Sequence, residues 1–198
     1  MDQQYDCYLS KFGLMVILKE FNLQNVSVHY KWNNDPKLSY YDSDYPFQPE
    51  TFETFLKRIK SVISKENRRA DLLEIHLENN DKLIGIVDLY SIDNYNNRCC
   101  VNCTIGAREY IGRGYEFEAI KETLNYCFNE LGMHKVTTTA FDFNKDRIKQ
   151  VKKVGFMKEG QLRKHVLKQD TFCDKLIFSL LKSEYGAAVE NASIAAAH

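Results

Sequence analysis

The stretch from Ile105 to Asn144 reads IGAREYIGRGYEFEAIKETLNYCFNELGMHKVTTTAFDFN, and it decides the fold. Two glycines, Gly112 and Gly114, stand where a β-rich segment ends. Apolar residues then recur at spacings of three and four, the period of one buried helix face. These residues are Ala119, Ile120, Leu124, Cys127, Phe128 and Leu131. The stretch therefore predicts a strand, a glycine turn, an amphipathic helix and a second strand in one connected unit.

The glycine turn has two interpretations. Glycine tolerates a positive φ and lets another group approach the backbone closely. The first amides of the following helix lack partners and lie at the positive end of its dipole, so together they suit a pyrophosphate. The alternative is an ordinary tight connection between a strand and a helix.

Three strings in order carry a resemblance to a known family: EYIGRGYEFEA, HKVTTTAFDFN and KKVGFMKEGQLRKH. Residues 12 to 182 resemble the GNAT N-acetyltransferase superfamily, and most closely its ribosomal-protein and spermidine acetyltransferase branches. The resemblance implies an α/β (α+β) fold in a single domain, residues 1–185. It implies a mixed, mainly antiparallel sheet of about seven strands, splayed at its centre, with helices on both faces.

The resemblance also implies acetyl-CoA as cosubstrate, with its pyrophosphate on the glycine turn and its pantetheine arm paired to the strand before that turn. Glu109 replaces the Arg or Gln that leads this turn in the family, although Arg108 stands beside it. The cofactor-binding residues expected on this basis are Ile105, Gly106, Arg108, Gly112, Arg113, Gly114, Tyr115, Asn144 and Lys153. Asn144 equally suits a helix cap, and Lys153 equally complements a helix dipole.

Composition limits the partners. The 198 residues carry 27 basic and 27 acidic side chains, so the formal net charge is zero and no global field would attract nucleic acid or an anionic membrane. The chain shows no signal peptide and no apolar run of 18 residues, and its six cysteines fit reduced thiols in a cytoplasmic protein. Cys99, Cys100 and Cys103 lack a second ligand pair, so we expect no metal. We consider a homodimer as the assembly.

The rest of the chain predicts conventional elements. Leu14 to Leu18 is short enough for a strand buried on both faces. Tyr40 to Phe47 is an aromatic and acidic loop, and Pro49 opens a helix. Further strands are expected at Leu72–Leu77, Leu83–Ile92, Arg98–Ile105, His134–Phe141, Phe156–Val166 and Cys173–Leu181, with a helix at Lys145–Val154. Residues 186–198 are a flexible tail or an appended remnant.

The chemistry departs from the family pattern at two places. Relatives often place a Glu in the strand before the glycine turn, yet Cys99 to Ile105 contains no acid. Val151 occupies the position at which relatives carry a Tyr that protonates the departing thiolate. Arg147 lies four residues earlier on the same helix, so it could stabilise that thiolate electrostatically from a face shared with Val151. The alternative places Arg147 on a cofactor phosphate or in solvent.

The remaining candidates for the base are Asp88, Asp93 and Asp142, with His165 less favoured. A buried Asp88 would have its pKa raised towards the working pH, but the alternation of its strand favours an outward-facing side chain. Tyr40, Tyr41, Asp42 and Asp44 are expected to form an acceptor wall, because charge and cation–π contacts suit a cationic amine.

The function implied is transfer of an acetyl group from acetyl-CoA to a primary amine by direct attack in a ternary complex. A rival interpretation is a non-catalytic acyl-CoA-binding or regulatory module that kept the turn and lost the chemistry, which Val151 and the missing acid support. A nucleotide-binding phosphotransferase is disfavoured, because the sequence has no G-x-x-x-x-G-K-[ST] loop.

Overall fold

The computed structural model of the protein describes residues 16–64 and 69–185. Residues 14 and 15 of the first apolar run and the predicted tail 186–198 lie outside these ranges. Seven strands form one sheet in the order β1-β2-β3-β4-β5-β7-β6. They are β1 (Val16–Glu20), β2 (Asp71–Leu77), β3 (Leu83–Asp93), β4 (Arg98–Ile105), β5 (Lys135–Phe141), β6 (Met157–Lys168) and β7 (Thr171–Leu181).

In the described part of the chain the sheet is accompanied by the helices α1 (Val26–Asn33), α2 (Pro36–Asp42), α3 (Phe52–Ile63), α4 (Tyr115–Asn125) and α5 (Lys145–Val154). Short 3-10 turns cover Leu23–Asn25 and Arg108–Tyr110, and a π-helical turn, Tyr126–Glu130, extends α4. The predicted fold class is therefore confirmed as a seven-stranded, mainly antiparallel mixed sheet with helices.

Helices cover both faces of the sheet. Leu72 and Leu73 are neighbours on β2, so their side chains point to opposite faces. Leu72 packs in a small cluster with buried residues of α1 and α3, whereas Leu73 belongs to the main core with buried residues of α4. The main core also takes in Val151 of α5, so α4 and α5 cover the face opposite α1 and α3.

The sheet opens between its two central strands. The parallel ladder between β4 and β5 comprises only three residue pairs, from Arg98 opposite Lys135 to Cys100 opposite Thr137. Beyond that point β4 remains paired with β3 as far as Ile105, and β5 remains paired with β7 as far as Phe141. The splay expected at the centre of the sheet is therefore present.

The glycines of the central unit perform the predicted conformational roles. Gly114 is the N-cap of α4 with φ 90°, and Gly112 has φ 75°, both in the left-handed region that favours glycine. Gly155 has φ 110° and ends α5, as expected.

Three local predictions were wrong. Tyr40 and Tyr41 lie within α2, because the Asp35 side chain accepts a hydrogen bond from the amide of Lys37 and begins a new helix at Pro36. The helix expected from Pro49 begins at Phe52, since Thr51 caps it. Within residues 16–64 and 69–185, β1 pairs with β2 alone and is only partly buried, so it is an edge strand of the described sheet.

Candidate active site

A cleft of about 1530 Å³ lies along the opening between β4 and β5. Its walls come from α1, α2 and α3 on one side and from the glycine turn, α4 and α5 on the other. Of the residues expected at the site, Tyr41, Asp42, Asp44, Asp88, Ile105, Arg108, Gly112, Asn144 and Arg147 line this cleft. Tyr40, Gly106, Arg113, Gly114, Tyr115 and Lys153 lie outside the lining.

The free edge of β4 faces the opening. The amide of Gly106 donates to the carbonyl of Ile84, so this position bonds to β3. Backbone groups alternate in direction along an antiparallel strand, and those of Ile105 and Cys103 therefore point away from β3 into the opening. A pantetheine arm has amide groups that can pair with such an edge as an added strand would.

Thr138 and Arg147 mark the closed end of this opening. The Thr138 hydroxyl donates to the carbonyl of Val101 across the gap at 2.9 Å. The same hydroxyl accepts a hydrogen bond from the Arg147 guanidinium at 3.1 Å. The hydrogen bond from the Thr138 side chain thus replaces the main-chain ladder at the first position where β4 and β5 separate.

Arg147 is buried, with 6% of its surface exposed, and forms an ion pair with Glu116 at 2.6 Å. Glu116 lies in the first turn of α4, where an unpaired acid would oppose an anionic ligand, and the ion pair with Arg147 offsets its charge. This ion pair also shows that Arg147 is not directed into solvent. Val151 shares the buried face of α5 with Arg147, as expected, but it is fully buried in the main core and does not line the cleft, so its expected position facing the thioester was wrong. The reason is that Val151 packs inward against the sheet.

The glycine turn offers space next to exposed backbone. A Cβ built on Gly112 would meet no atom within 4 Å, although Gly112 lines the cleft. The turn and the first amides of α4 together form a cradle suited to a pyrophosphate. Arg108 is already engaged, since its guanidinium binds Asp35 at 2.7 Å. Glu109, at the departure from the family pattern, pairs with Lys82 at 2.9 Å.

Other expected cofactor residues have structural partners. The ring of Trp32 occupies the position that a Cβ on Gly106 would need, so Gly106 is required for packing. The Asn144 side chain accepts from the amide of Arg147 and caps α5, which agrees with one of its two interpretations. Lys153 places its ammonium 5.0 Å from the centre of the Phe117 ring. Tyr115 is half-buried at the start of α4.

The predicted acceptor wall consists of α2 and the residues just after it. Thr104 of β4 donates to the Asp42 carboxylate at 2.8 Å. Asp44 is paired with Lys175 of β7 at 2.6 Å. Although Asp42 is exposed as a residue, the cleft walls displace water and raise the pKa of its carboxyl above the usual value, while the bond from Thr104 and the charge of Arg147 act to lower it.

Asp88 is half-buried and faces the cleft, so the outward-facing alternative was wrong. It lies directly opposite Asn102 of β4, next to the edge on which a thioester would be placed. Desolvation raises the pKa of Asp88 to about 6, and the neighbouring charge of Asp42 acts in the same direction. A carboxyl with this pKa is ionised at neutral pH and can accept a proton.

The other candidate bases are placed less favourably. Asp93 accepts hydrogen bonds from Asn96 and Arg98 in the turn after β3, and these lower its pKa to about 2. His165 is exposed on β6, and neither it nor Asp142 lines the cleft. Among the described residues, no group of three or more His, Cys, Asp or Glu side chains could hold a metal ion.

Several contributors to the site were not predicted. Thr104, Thr138, Lys168 and Lys175 hold the cleft together through partners distant in sequence. Lys175 and Asp44 are 131 residues apart, and no local spacing reports such a pair. A weak signal existed at Thr138, which is the middle residue of three threonines in a strand otherwise expected to be buried.

The fold and the cleft together define an acetyltransferase of the GNAT family. Residues 16–157 match the family model for the "Acetyltransferase (GNAT) domain", and the chain belongs to this family. It is an acetyl-CoA-dependent N-acetyltransferase, as the resemblance implied.

Among curated relatives, "Uncharacterized N-acetyltransferase p20" of Bacillus licheniformis is 27% identical, over 85% of this chain and 93% of that protein. Spermidine N(1)-acetyltransferase of Vibrio cholerae is also 27% identical, over 77% of this chain and 85% of that protein. A crystal structure of the spermidine N-acetyltransferase from Vibrio cholerae in complex with CoA and spermine has a TM-score of 0.79 at 21% identity, covering 86% of this chain and 97% of that one. This structural similarity supports the fold.

Proposed function

We propose that this N-acetyltransferase acetylates a cationic primary amine, which attacks the thioester of acetyl-CoA directly in a ternary complex. The observation that carries this proposal is Asp88, a half-buried carboxyl with a pKa of about 6 in the cleft beside the free edge of β4. Asp42 lies close enough to raise that pKa further, so two carboxylates face the space where an amine would enter.

The groups of the chain divide the work as follows. The amides of Ile105 and Cys103 and the glycine turn bind the cosubstrate, which supplies an acetyl thioester. Asp42 attracts the ammonium form of the acceptor, and Asp88 accepts the proton that the amine must lose. The amine nitrogen then forms a bond to the acetyl carbon as the carbon–sulfur bond breaks, and the remaining excess proton on that nitrogen passes through water to the departing thiolate, which gives the amide and free CoA thiol. Arg147, at the closed end of the opening, stabilises the charge of the departing thiolate.

The test is release of free CoA thiol with a panel of amines, measured against pH. We expect amine-dependent turnover whose kcat/KM for the amine falls below about pH 6, where Asp88 takes up a proton. Asp88→Asn should lower kcat/KM by about 100-fold and abolish that acidic limb, in the range typical for loss of a general base.

Asp71→Asn is the matched control. Burial also raises the pKa of Asp71, but this residue lies at the start of β2 and outside the cleft lining. It should retain both the rate and the acidic limb. Binding of acetyl-CoA without turnover by any amine would instead support the non-catalytic module, and an unchanged pH profile in Asp88→Asn would remove Asp88 from the mechanism.

We also propose a cytoplasmic location, while the homodimer stays a prediction from the sequence. Cys99, Cys100, Cys103, Cys127 and Cys173 are all free thiols, which fits a reducing compartment. None of the helices in the described part of the chain is both long and apolar enough to cross a membrane. A relative from Vibrio cholerae is described as dodecameric, so measurement of the mass in solution will decide the assembly of this chain.

A further inference from the structure

Lys168 is a buried cation that does not line the cleft. It is the last residue of β6, and only 7% of its surface is exposed. Its ammonium donates to the carbonyl of Tyr40 at 2.8 Å and to the carbonyl of Ser43 at 2.5 Å. It also lies 5.3 Å from the centre of the Tyr40 ring and 4.7 Å from that of Phe141.

These contacts lie at the end of α2, where a helix has carbonyls without partners and the negative end of its dipole. An ammonium with three donors fits this position, because two donors bond to carbonyls and the remaining surface of the cation faces aromatic rings. Burying a charge is costly without such partners. The strand that carries Lys168 is otherwise mostly exposed, so its burial is specific to this contact.

Asp42 lies between the two carbonyls that Lys168 holds. Its main chain connects Tyr40 and Tyr41 to Ser43, and its carboxylate meets Thr104 on β4. The next acid, Asp44, is bound by Lys175 of β7 through both carboxylate oxygens, at 2.8 and 2.6 Å. Two lysines from the β6–β7 hairpin thus fix the chain on both sides of Asp42, and their ammonium groups are occupied in doing so.

We propose that Lys168 is a positioning residue for the acceptor amine: it anchors the end of α2 so that the Asp42 carboxylate faces the cleft. The proposal rests on the proposed function, because it requires that Asp42 meets the amine. The β6–β7 hairpin would then support acceptor binding by holding the end of α2 in place, without touching the acceptor itself. Binding of acetyl-CoA should not depend on Lys168, since the contacts of its ammonium group are with Tyr40, Ser43 and Phe141 and not with α4 or the glycine turn.

The experiment is a double-mutant cycle read out as KM for the amine. Lys168→Met should raise KM for the amine about tenfold, since two carbonyls lose their charged partner, while KM for acetyl-CoA stays unchanged. Asp42→Asn should raise KM for the amine by a similar factor, and the double variant should raise it no further than Asp42→Asn alone. Lys164→Met, an equal charge change at an exposed position of the same strand, is the control and should behave as the parent protein.

The KM values for the amine distinguish the positioning role of Lys168 from the role of Asp42 in the acceptor wall. A rise in KM for the amine with Asp42→Asn but not with Lys168→Met overturns the positioning role and leaves the acceptor wall intact. Additive effects in the double variant also overturn it, because Lys168 would then act independently of Asp42. No effect of either change overturns the acceptor wall itself. If Lys168→Met does not fold, Lys168→Gln keeps two N–H donors without the charge and takes its place in the cycle.

Discussion

At the scale of single residues, Gly112 and Gly132 provide a matched pair at the two ends of the α4 segment. Their φ angles are 75° and 68°, and a Cβ on either would meet no atom within 4 Å. We predict that Gly112→Ala raises KM for acetyl-CoA severalfold, because the methyl group enters the space where the pyrophosphate approaches the backbone. Both substitutions should cost about 1 kcal/mol of stability, the penalty for a side chain in the left-handed region.

Gly132→Ala is therefore the control: it carries the same backbone strain but lies outside the cleft lining. Steady-state kinetics and thermal melts of the two variants separate strain from binding. Equal KM values for acetyl-CoA in Gly112→Ala and in the unaltered protein would place the pyrophosphate elsewhere.

Single residues also show where prediction from the sequence stops. The glycine turn and the Asn144 cap were predictable, because each stands directly before a helix whose start is visible in the local sequence pattern. The ion pair of Glu116 with Arg147 was not, because 31 residues separate the two and only the packing of α5 against α4 brings them together. For the same reason Asp88 was expected to face outward: its direction depends on which sheet face α1 and α3 cover.

At the scale of elements, Glu74 attaches α1 to β2. The residue is 1% exposed, and its carboxylate accepts hydrogen bonds from His29 at 2.9 Å, His76 at 2.9 Å and Asn25 at 2.8 Å. Burial alone would raise the pKa of Glu74, but these bonds, together with one from the amide of Asn22, lower it to about 2. A lowered pKa means that ionised Glu74 contributes stability above its ordinary pKa of 4.5, and that this contribution is lost as pH falls towards 2.

We predict that Glu74→Gln lowers the free energy of unfolding at pH 7 by about 3 kcal/mol, the cost of removing one partner from a buried charged network. For a chain of this size the melting temperature should fall by about 6–12 °C. The difference from the parent protein should shrink as pH is lowered from 4.5, because the parent loses the ionised carboxylate.

Glu78→Gln provides the comparison, since Glu78 is exposed just beyond the end of β2. Its melting temperature should stay within about 2 °C of the parent, as for most surface substitutions. If thermal melts give the two variants equal shifts at pH 7, Glu74 does not hold α1 in place.

The elements differ in how far the sequence determined them. The strands β3 and β4 and the helix α5 were predicted nearly to the residue, because alternation, turn residues and Gly155 all indicate the same boundaries. α2 was missed because its aromatic and acidic residues have no helical period, and its start depends on the Asp35 cap. The start of α3 was misplaced by three residues, since the Glu50 backbone forms two hydrogen bonds with the Asn34 side chain and Thr51 caps the helix.

At the scale of the whole molecule, one core connects the two halves of the splayed sheet. Val16 of β1 and Leu180 of β7 belong to the same buried cluster, which α4 completes from one face. We predict that residues 16–185 unfold as a single unit, with coincident urea transitions by far-ultraviolet and near-ultraviolet circular dichroism. Two separated transitions would show that the opening between β4 and β5 divides the chain into independent units, contrary to the single domain expected from the sequence.

The packing of Trp32 against Gly106 has an optical consequence. Trp32 is the sole tryptophan of the 198-residue chain, and its ring lies against Gly106, the residue that directly follows β4. Its fluorescence therefore originates from one place, next to the edge of β4 where the cosubstrate arm is expected. Its emission intensity and wavelength can therefore report binding at that edge in unlabelled protein. The twelve tyrosines are distributed through the chain, so their emission does not come from one place.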